Sequence, residues 1–129
     1  MDDKQDVTGV WYGRYEVDLW DERNGFIAVL EESGGVVTGV ITERGDDGAI
    51  WRALVNGRRD GNNFRFIKQY DGTSGQVHAL DYAGQVDAEG LEVNGVWSQP
   101  YSSGRFTMER EKFSAEALEA EDEAELTVH

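Results

Sequence analysis

The sequence predicts an all-β chain: an eight-stranded antiparallel up-and-down β-barrel, built as a meander, followed by a short acidic C-terminal helix or disordered tail. Three observations predict it. Apolar and aromatic residues alternate with polar ones in short runs between residues 8 and 113, the period of a strand with one buried face. Turn clusters separate the runs at intervals of about 12 residues. No apolar run with a helical period lies between them. Eight such strands close most economically into a barrel, which leaves no free edge; a two-sheet sandwich is the second choice.

In chain order the strands are Thr8–Asp18, Gly25–Glu32, Val36–Glu43, Ala49–Arg58, Asn63–Tyr70, Gln76–Val86, Leu91–Gln99 and Gly104–Glu111. The turns between them carry Asn24-Gly25, Gly34-Gly35, Asp47-Gly48, Asp60-Gly61-Asn62, Asp71-Gly72 and Glu89-Gly90, residues that reverse the chain at low steric cost. Residues 1–7 read as a flexible N-terminus, 8–113 as the barrel and 114–129 as an acidic tail. The tail carries six acids and no base from Ser114 to Glu125, and its apolar face, Ala115 and Leu118 with Ala117 at most, is too thin to dock strongly.

Composition excludes more than it names. The chain has 129 residues, enough for one domain. It has no cysteine, so a disulfide framework, a thiolate metal site and a cysteine nucleophile are all excluded. A net charge of −14 argues against nucleic acid, whose phosphates need clustered Lys and Arg. No apolar run has the length of a membrane-spanning helix, and the charged start Met1-Asp2-Asp3-Lys4 does not resemble a secretory signal, so the expected compartment is the cytoplasm. Only three lysines, Lys4, Lys68 and Lys112, stand against nine arginines.

Three motifs support a comparison with a known group. The first strand opens Gly9-Val10-Trp11, the third contains Thr38-Gly39, and the last ends Phe106-Thr107-Met108-Glu109-Arg110. A Gly-x-Trp on the first strand and an Arg on the last resembles the calycin superfamily of lipocalins, fatty-acid-binding proteins and avidins, and the Thr-Gly is most similar to avidin-type barrels. The resemblance implies a ligand-holding cup without catalysis, in which Trp11 plugs the closed end and Arg110 lies across it. Gly9, Trp11 and Arg110 are carried over in that structural role. The avidin biotin contacts are not carried over, because Gly13 and Val17 stand where an amide and a hydroxyl residue belong.

Alternation assigns faces independently of any family. The less charged set points inward: Trp11, Gly13, Tyr15 and Val17 on the first strand; Phe26, Ala28 and Leu30 on the second; Trp51, Ala53 and Val55 on the fourth. The later strands give Phe64, Phe66, Lys68 and Tyr70; His78, Leu80, Tyr82, Gly84 and Val86; Leu91, Val93, Gly95 and Trp97; and Phe106, Met108 and Arg110. On the third strand Val37, Gly39 and Ile41 compete with Val36, Thr38 and Val40, and the pattern does not decide. Strand direction then gathers Trp11, Phe64, Leu91 and Arg110 at one end. The other end collects Tyr15, Phe26, Trp51, Lys68, Tyr70, His78 and Trp97. Small barrels hold ligands in their mouths, so the aromatic end with Lys68 and His78 is the expected mouth.

The expected ligand-binding residues are Tyr15, Trp51, Lys68, Tyr70, His78, Tyr82 and Trp97, binding a small, largely apolar or aromatic molecule with or without an anionic group. Lys68 reads either as the partner of an anionic head or as a snorkelling lysine paired with a rim carboxylate such as Asp18 or Glu43. His78 alone does not make a metal site, and no cofactor is expected. Trp20, in what reads as an acidic loop, is a candidate lid or anchor. Two other readings stand beside the binding barrel. One is a small isomerase- or cyclase-type enzyme using Lys68, His78 or a tyrosine as acid–base. The other is a packed barrel that forms a homo-oligomer through outward Val10, Tyr12, Val36, Val40 and Val96.

Overall fold

The computed structural model describes residues 3–17, 20–45, 48–72 and 79–110, and of residues 17 and 20–24 the backbone alone. It is a closed barrel of eight strands in sequence order. They are β1 (Gly9–Val17), β2 (Trp20–Ser33), β3 (Val36–Arg44), β4 (Ile50–Asp60), β5 (Asn63–Tyr70), β6 (Leu80–Val86), β7 (Glu92–Gln99) and β8 (Ser102–Glu109). Each is antiparallel to the next, and β8 returns to β1 over the pairs Tyr12–Glu109 to Tyr15–Phe106. The expected meander is therefore the observed one. The tail 114–129 lies outside the described residues.

Two local expectations fail for identifiable reasons. Asn24-Gly25 is not a turn: it lies inside β2, paired with Tyr15 and Arg14, and the β1–β2 hairpin closes further on, at Val17 opposite Trp20. A turn dipeptide permits reversal without requiring it, and ladder pairing outweighs that preference here. Trp20 accordingly begins a strand instead of sitting in a loop. Leu91, expected inward, is 38% exposed and precedes β7. Asp87 holds it out: its carboxylate reaches across the Asp87–Gly90 turn to accept from the Leu91 amide at 2.7 Å and the Glu92 amide at 3.3 Å, which delays the strand by one residue.

Among the side chains that the structure describes, the inward set is otherwise as alternation assigns it, and it fills the barrel axis; His78 and the Val17 side chain lie outside them. Phe66 stacks on Tyr82 with centroids 4.7 Å apart and planes 12° apart, and Phe106 meets Tyr82 edge-on at 4.9 Å. On β3 the inward residues are Val37, Gly39, Ile41 and also Glu43. Three clefts formed by described residues lie off this axis. One of about 360 Å³ is beside Arg14, Asn94 and Arg105, and one of about 460 Å³ is beside Arg58, Arg65 and Asp81. The third, of about 590 Å³, lies at the end that carries Gln5, Asn62 and Asp87.

That end is closed. The Arg110 guanidinium lies 4.3 Å from the Trp11 ring centroid and donates to the carbonyls of Gly90 (2.8 Å), Thr8 (2.6 Å) and Asp6. The Trp11 indole donates to the Val7 carbonyl at 2.8 Å. Gly9, at φ 141°, lets the chain pass the guanidinium in a conformation L-residues rarely adopt. Residues 3–7, assigned from sequence to a flexible lead-in, contribute a fully buried Val7 and a second arginine cluster. Arg59 there bonds Glu32 at 2.6 and 2.8 Å and Asp3 at 2.6 Å. Replacing Arg110 by alanine orphans carbonyls and uncovers Trp11. Its expected cost is about 3 kcal/mol of unfolding free energy, read by urea denaturation; a loss below the error of that measurement would contradict the role assigned to Arg110.

Candidate functional site

Alternating strand direction brings the second group of inward residues to the opposite end, around Lys68. β5 places Lys68 two residues before Tyr70, so both point inward. β3 places Glu43 inward by the same parity. The Lys68 amine donates to Glu43 Oε2 at 3.0 Å, and the two side chains are 0% and 2% exposed. The Tyr70 hydroxyl donates to the other carboxylate oxygen, Glu43 Oε1. One carboxylate thus satisfies a cation and a phenol inside the barrel.

The rest of the amine's surroundings is aromatic. Its nitrogen lies 4.7 Å from the Tyr70 ring centroid, 4.9 Å from Tyr15, 5.7 Å from Tyr82 and 6.0 Å from Phe26. Ring faces attract a cation, and desolvation strengthens that attraction. Gly13 makes the arrangement possible, since a Cβ there would sit 2.2 Å from the Phe26 ring. Tyr15 meets Trp97 edge-on at 5.9 Å, Trp51 meets Tyr70 edge-on at 6.1 Å, and the Trp97 indole donates to the Glu16 carbonyl at 2.8 Å. Tyr15 and Trp51 are the half-buried members of this group, the ones that reach solvent.

Electrostatics follow from burial. The low-dielectric interior disfavours the charged amine and lowers the Lys68 pKa, with Glu43 working in the opposite direction. Burial first, and the bond to Glu43 second, raise the Tyr70 pKa well above the usual phenol value. Burial likewise raises that of Tyr82. Both tyrosines are therefore neutral donors at physiological pH. Tyr82 differs from Tyr70 in one respect: its hydroxyl is the only fully buried side-chain polar atom among the described residues with no hydrogen-bond partner.

Of the residues singled out from sequence, Tyr15, Trp51, Lys68, Tyr70, Tyr82 and Trp97 converge at this end. His78 lies outside the described residues, as does the side chain of Trp20. Of the two lysine partners named from sequence, Glu43 is the one found; Asp18 lies outside the described residues. Sequence reasoning placed Glu43 on the rim, whereas it is buried. The signal that could have moved it inward is its parity with Ile41.

No protein-family model matches the chain, and no curated protein matches it. Solved structures share its fold. A redesigned β-barrel, b11L5F_LGL, aligns with TM-score 0.72 and 9% identity over 85% of this chain and 96% of that one. The redesigned barrel mFAP1, bound to DFHBI, aligns with TM-score 0.69 and 11% identity over 85% and 100%. A de novo designed fluorescence-activating β-barrel aligns with TM-score 0.67 and 13% identity over 86% and 100%. At these identities the likeness is one of fold.

The ion pair makes a specific energetic prediction. Glu43→Gln or Lys68→Met alone leaves one buried charge uncompensated and is expected to cost about 3–5 kcal/mol, whereas Lys68→Met combined with Glu43→Gln, which keeps an acceptor for the Tyr70 hydroxyl, recovers most of that loss. A double-mutant cycle by chemical denaturation reads the coupling; additive single effects would mean that the two groups do not act as a pair.

Proposed function

We propose that the protein is a non-catalytic barrel that binds a small, largely apolar or aromatic molecule at the Lys68 end. The observation that carries this reading is the unpartnered Tyr82 hydroxyl inside an aromatic enclosure. A buried donor without a partner costs free energy in the empty protein, and a ligand acceptor would relieve that cost. The candidate walls are Tyr15, Trp51, Tyr70 and Trp97, with Lys68 and Tyr82 supplying the polar contacts. His78, named with them from sequence, lies outside the described residues.

The chemistry also narrows the ligand's polar group. Glu43 already balances the Lys68 charge, so a ligand carboxylate competes with it. A neutral acceptor such as a carbonyl suits the Tyr82 hydroxyl without that competition. Entry requires the half-buried rings of Tyr15 and Trp51 to part, which places tryptophan emission in direct report of occupancy. Native mass spectrometry of protein purified from its own host is expected to show a retained small molecule, and Tyr82→Phe is expected to weaken its retention by about 1 kcal/mol while leaving the empty barrel as stable or more so. No retained mass, together with no tryptophan response across a panel of aromatic metabolites, would overturn the reading.

A separate observation favours a second property, self-association. Outward Val10, Val29, Val40 and Leu54 are laterally paired across β1, β2, β3 and β4, and Tyr12 pairs with Ile27 in the adjoining row. All six are exposed, between 40% and 63%. Single exposed apolar residues are ordinary, but a contiguous band without charge marks an interface. In a chain of net charge −14 the partner that such a band fits is a second copy, whose equivalent band meets it about a two-fold axis, with Glu109 beside Tyr12 at its edge. Sedimentation is expected to show a dimer that Val40→Lys with Leu54→Lys converts to monomer; a wild-type chain that sediments as a monomer at every concentration would refute this.

A further inference from the structure

Lys68 is the most unusual group in the barrel. A lysine in a barrel mouth ordinarily sends its ammonium to water, yet this one is fully buried among four aromatic rings with a carboxylate at 3.0 Å. If a fixed positive charge were all that the position required, arginine would supply it, and this chain uses arginine three times as often as lysine. What lysine offers and arginine does not is a nucleophilic amine.

The groups around the amine are those that a carbonyl condensation needs. Glu43 is hydrogen-bonded to the nitrogen and can take and return its proton. Tyr82 holds an uncommitted hydroxyl donor for a carbonyl oxygen, on a ring centred 5.7 Å from the amine. The aromatic walls exclude the water that would hydrolyse the product. We propose that Lys68 is a covalent attachment site, condensing through Nζ with an apolar or aromatic aldehyde or ketone to form a protonated imine whose counterion is Glu43. This rests on the mouth-binding reading above and names the ligand class for it. Burial also lowers the amine's affinity for its proton, which favours the neutral nucleophile.

The step balances within the site. Lys68 passes one proton to Glu43, and the neutral amine adds to the carbonyl carbon as the π pair moves to oxygen. Glu43 returns the proton to that oxygen, giving the carbinolamine with its nitrogen still cationic. The nitrogen then gives a second proton to Glu43, which delivers it to the hydroxyl as the C–O bond breaks and water leaves. The nitrogen lone pair forms the C=N bond. Ammonium, carboxylate and carbonyl have become iminium, carboxylate and water, with no oxidant or reductant consumed.

The test uses the full chain with cinnamaldehyde as probe, sodium cyanoborohydride to trap the iminium, and peptide mapping to locate it. Cinnamyl alcohol, which cannot condense, reports binding alone through tryptophan fluorescence. Near neutral pH the trapped adduct is expected at Lys68 in at least about tenfold excess over Lys4 and Lys112, a preference that disappears in urea. Glu43→Gln, with its fold checked by circular dichroism, is expected to slow trapping at Lys68 relative to Lys4 in the same sample. If both probes quench but Lys68 is labelled no more than the other lysines, or its preference survives unfolding, the covalent site is refuted and the binding reading stands. If neither probe quenches and Lys68 stays unlabelled, both fail.

Discussion

Closure of eight antiparallel strands into one ring is the constraint from which the rest follows. A closed ring has no edge, so every backbone donor and acceptor in the strands can find a ladder partner, and every strand has one face committed to a narrow interior. That commitment is why period-two alternation has such force here. It sends Lys68 and Glu43 inward with the same geometric necessity as Phe66 and Ile41. Neither can turn away without slipping a whole strand by one residue and exposing its apolar set.

Having been forced inside, the two charges satisfy one another. Their pairing is poor evidence for stability, because removing two ions from water costs about as much as their attraction returns. A barrel of this size filled with aliphatic side chains would hold together at least as well. The pair with its Tyr70 bond, and the Tyr82 hydroxyl left over beside it, are therefore better understood as features that the fold tolerates than as features that hold the fold up. The burden of stability falls on the aromatic stack of Phe66, Tyr82 and Phe106 and on the closed end.

How much of this was legible in the sequence depends on where alternation is unambiguous. On β1, β4 and β8 one face is plainly less charged, and on β5 one face holds all the aromatics, so the inward residues and the end at which each sits could be assigned directly. On β3 the test could not decide, and the structure gives the reason. Val36 and Val40 belong to the outer wall's own apolar residues, so both faces of that strand are hydrophobic. The same ambiguity hid Glu43, the partner that Lys68 needs. Leu91 and Asn24-Gly25 were misjudged because a side-chain bond from Asp87 and an extended β1–β2 ladder override local preference. The missing partner of Tyr82 depends on atomic positions that no pattern of residue types encodes.

The two buried cations show how one fold gives similar residues different work. Arg110 stacks on Trp11 and donates to three backbone carbonyls, so its planar fork is used up in tying Asp6, Thr8 and Gly90 together across the closed end. Its charge does not switch, because a guanidinium keeps its proton at any physiological pH. Lys68 donates to a side chain instead: its hydrogen-bond partner is Glu43, and rings surround the rest of it. A point charge held by one carboxylate is released by moving one proton over one hydrogen bond. Arginine at the closed end thus behaves as a fixed brace. Lysine at the other end has its proton affinity lowered by burial and restored in part by Glu43, and that difference in proton chemistry, more than the charge the two share, separates the two ends of the barrel.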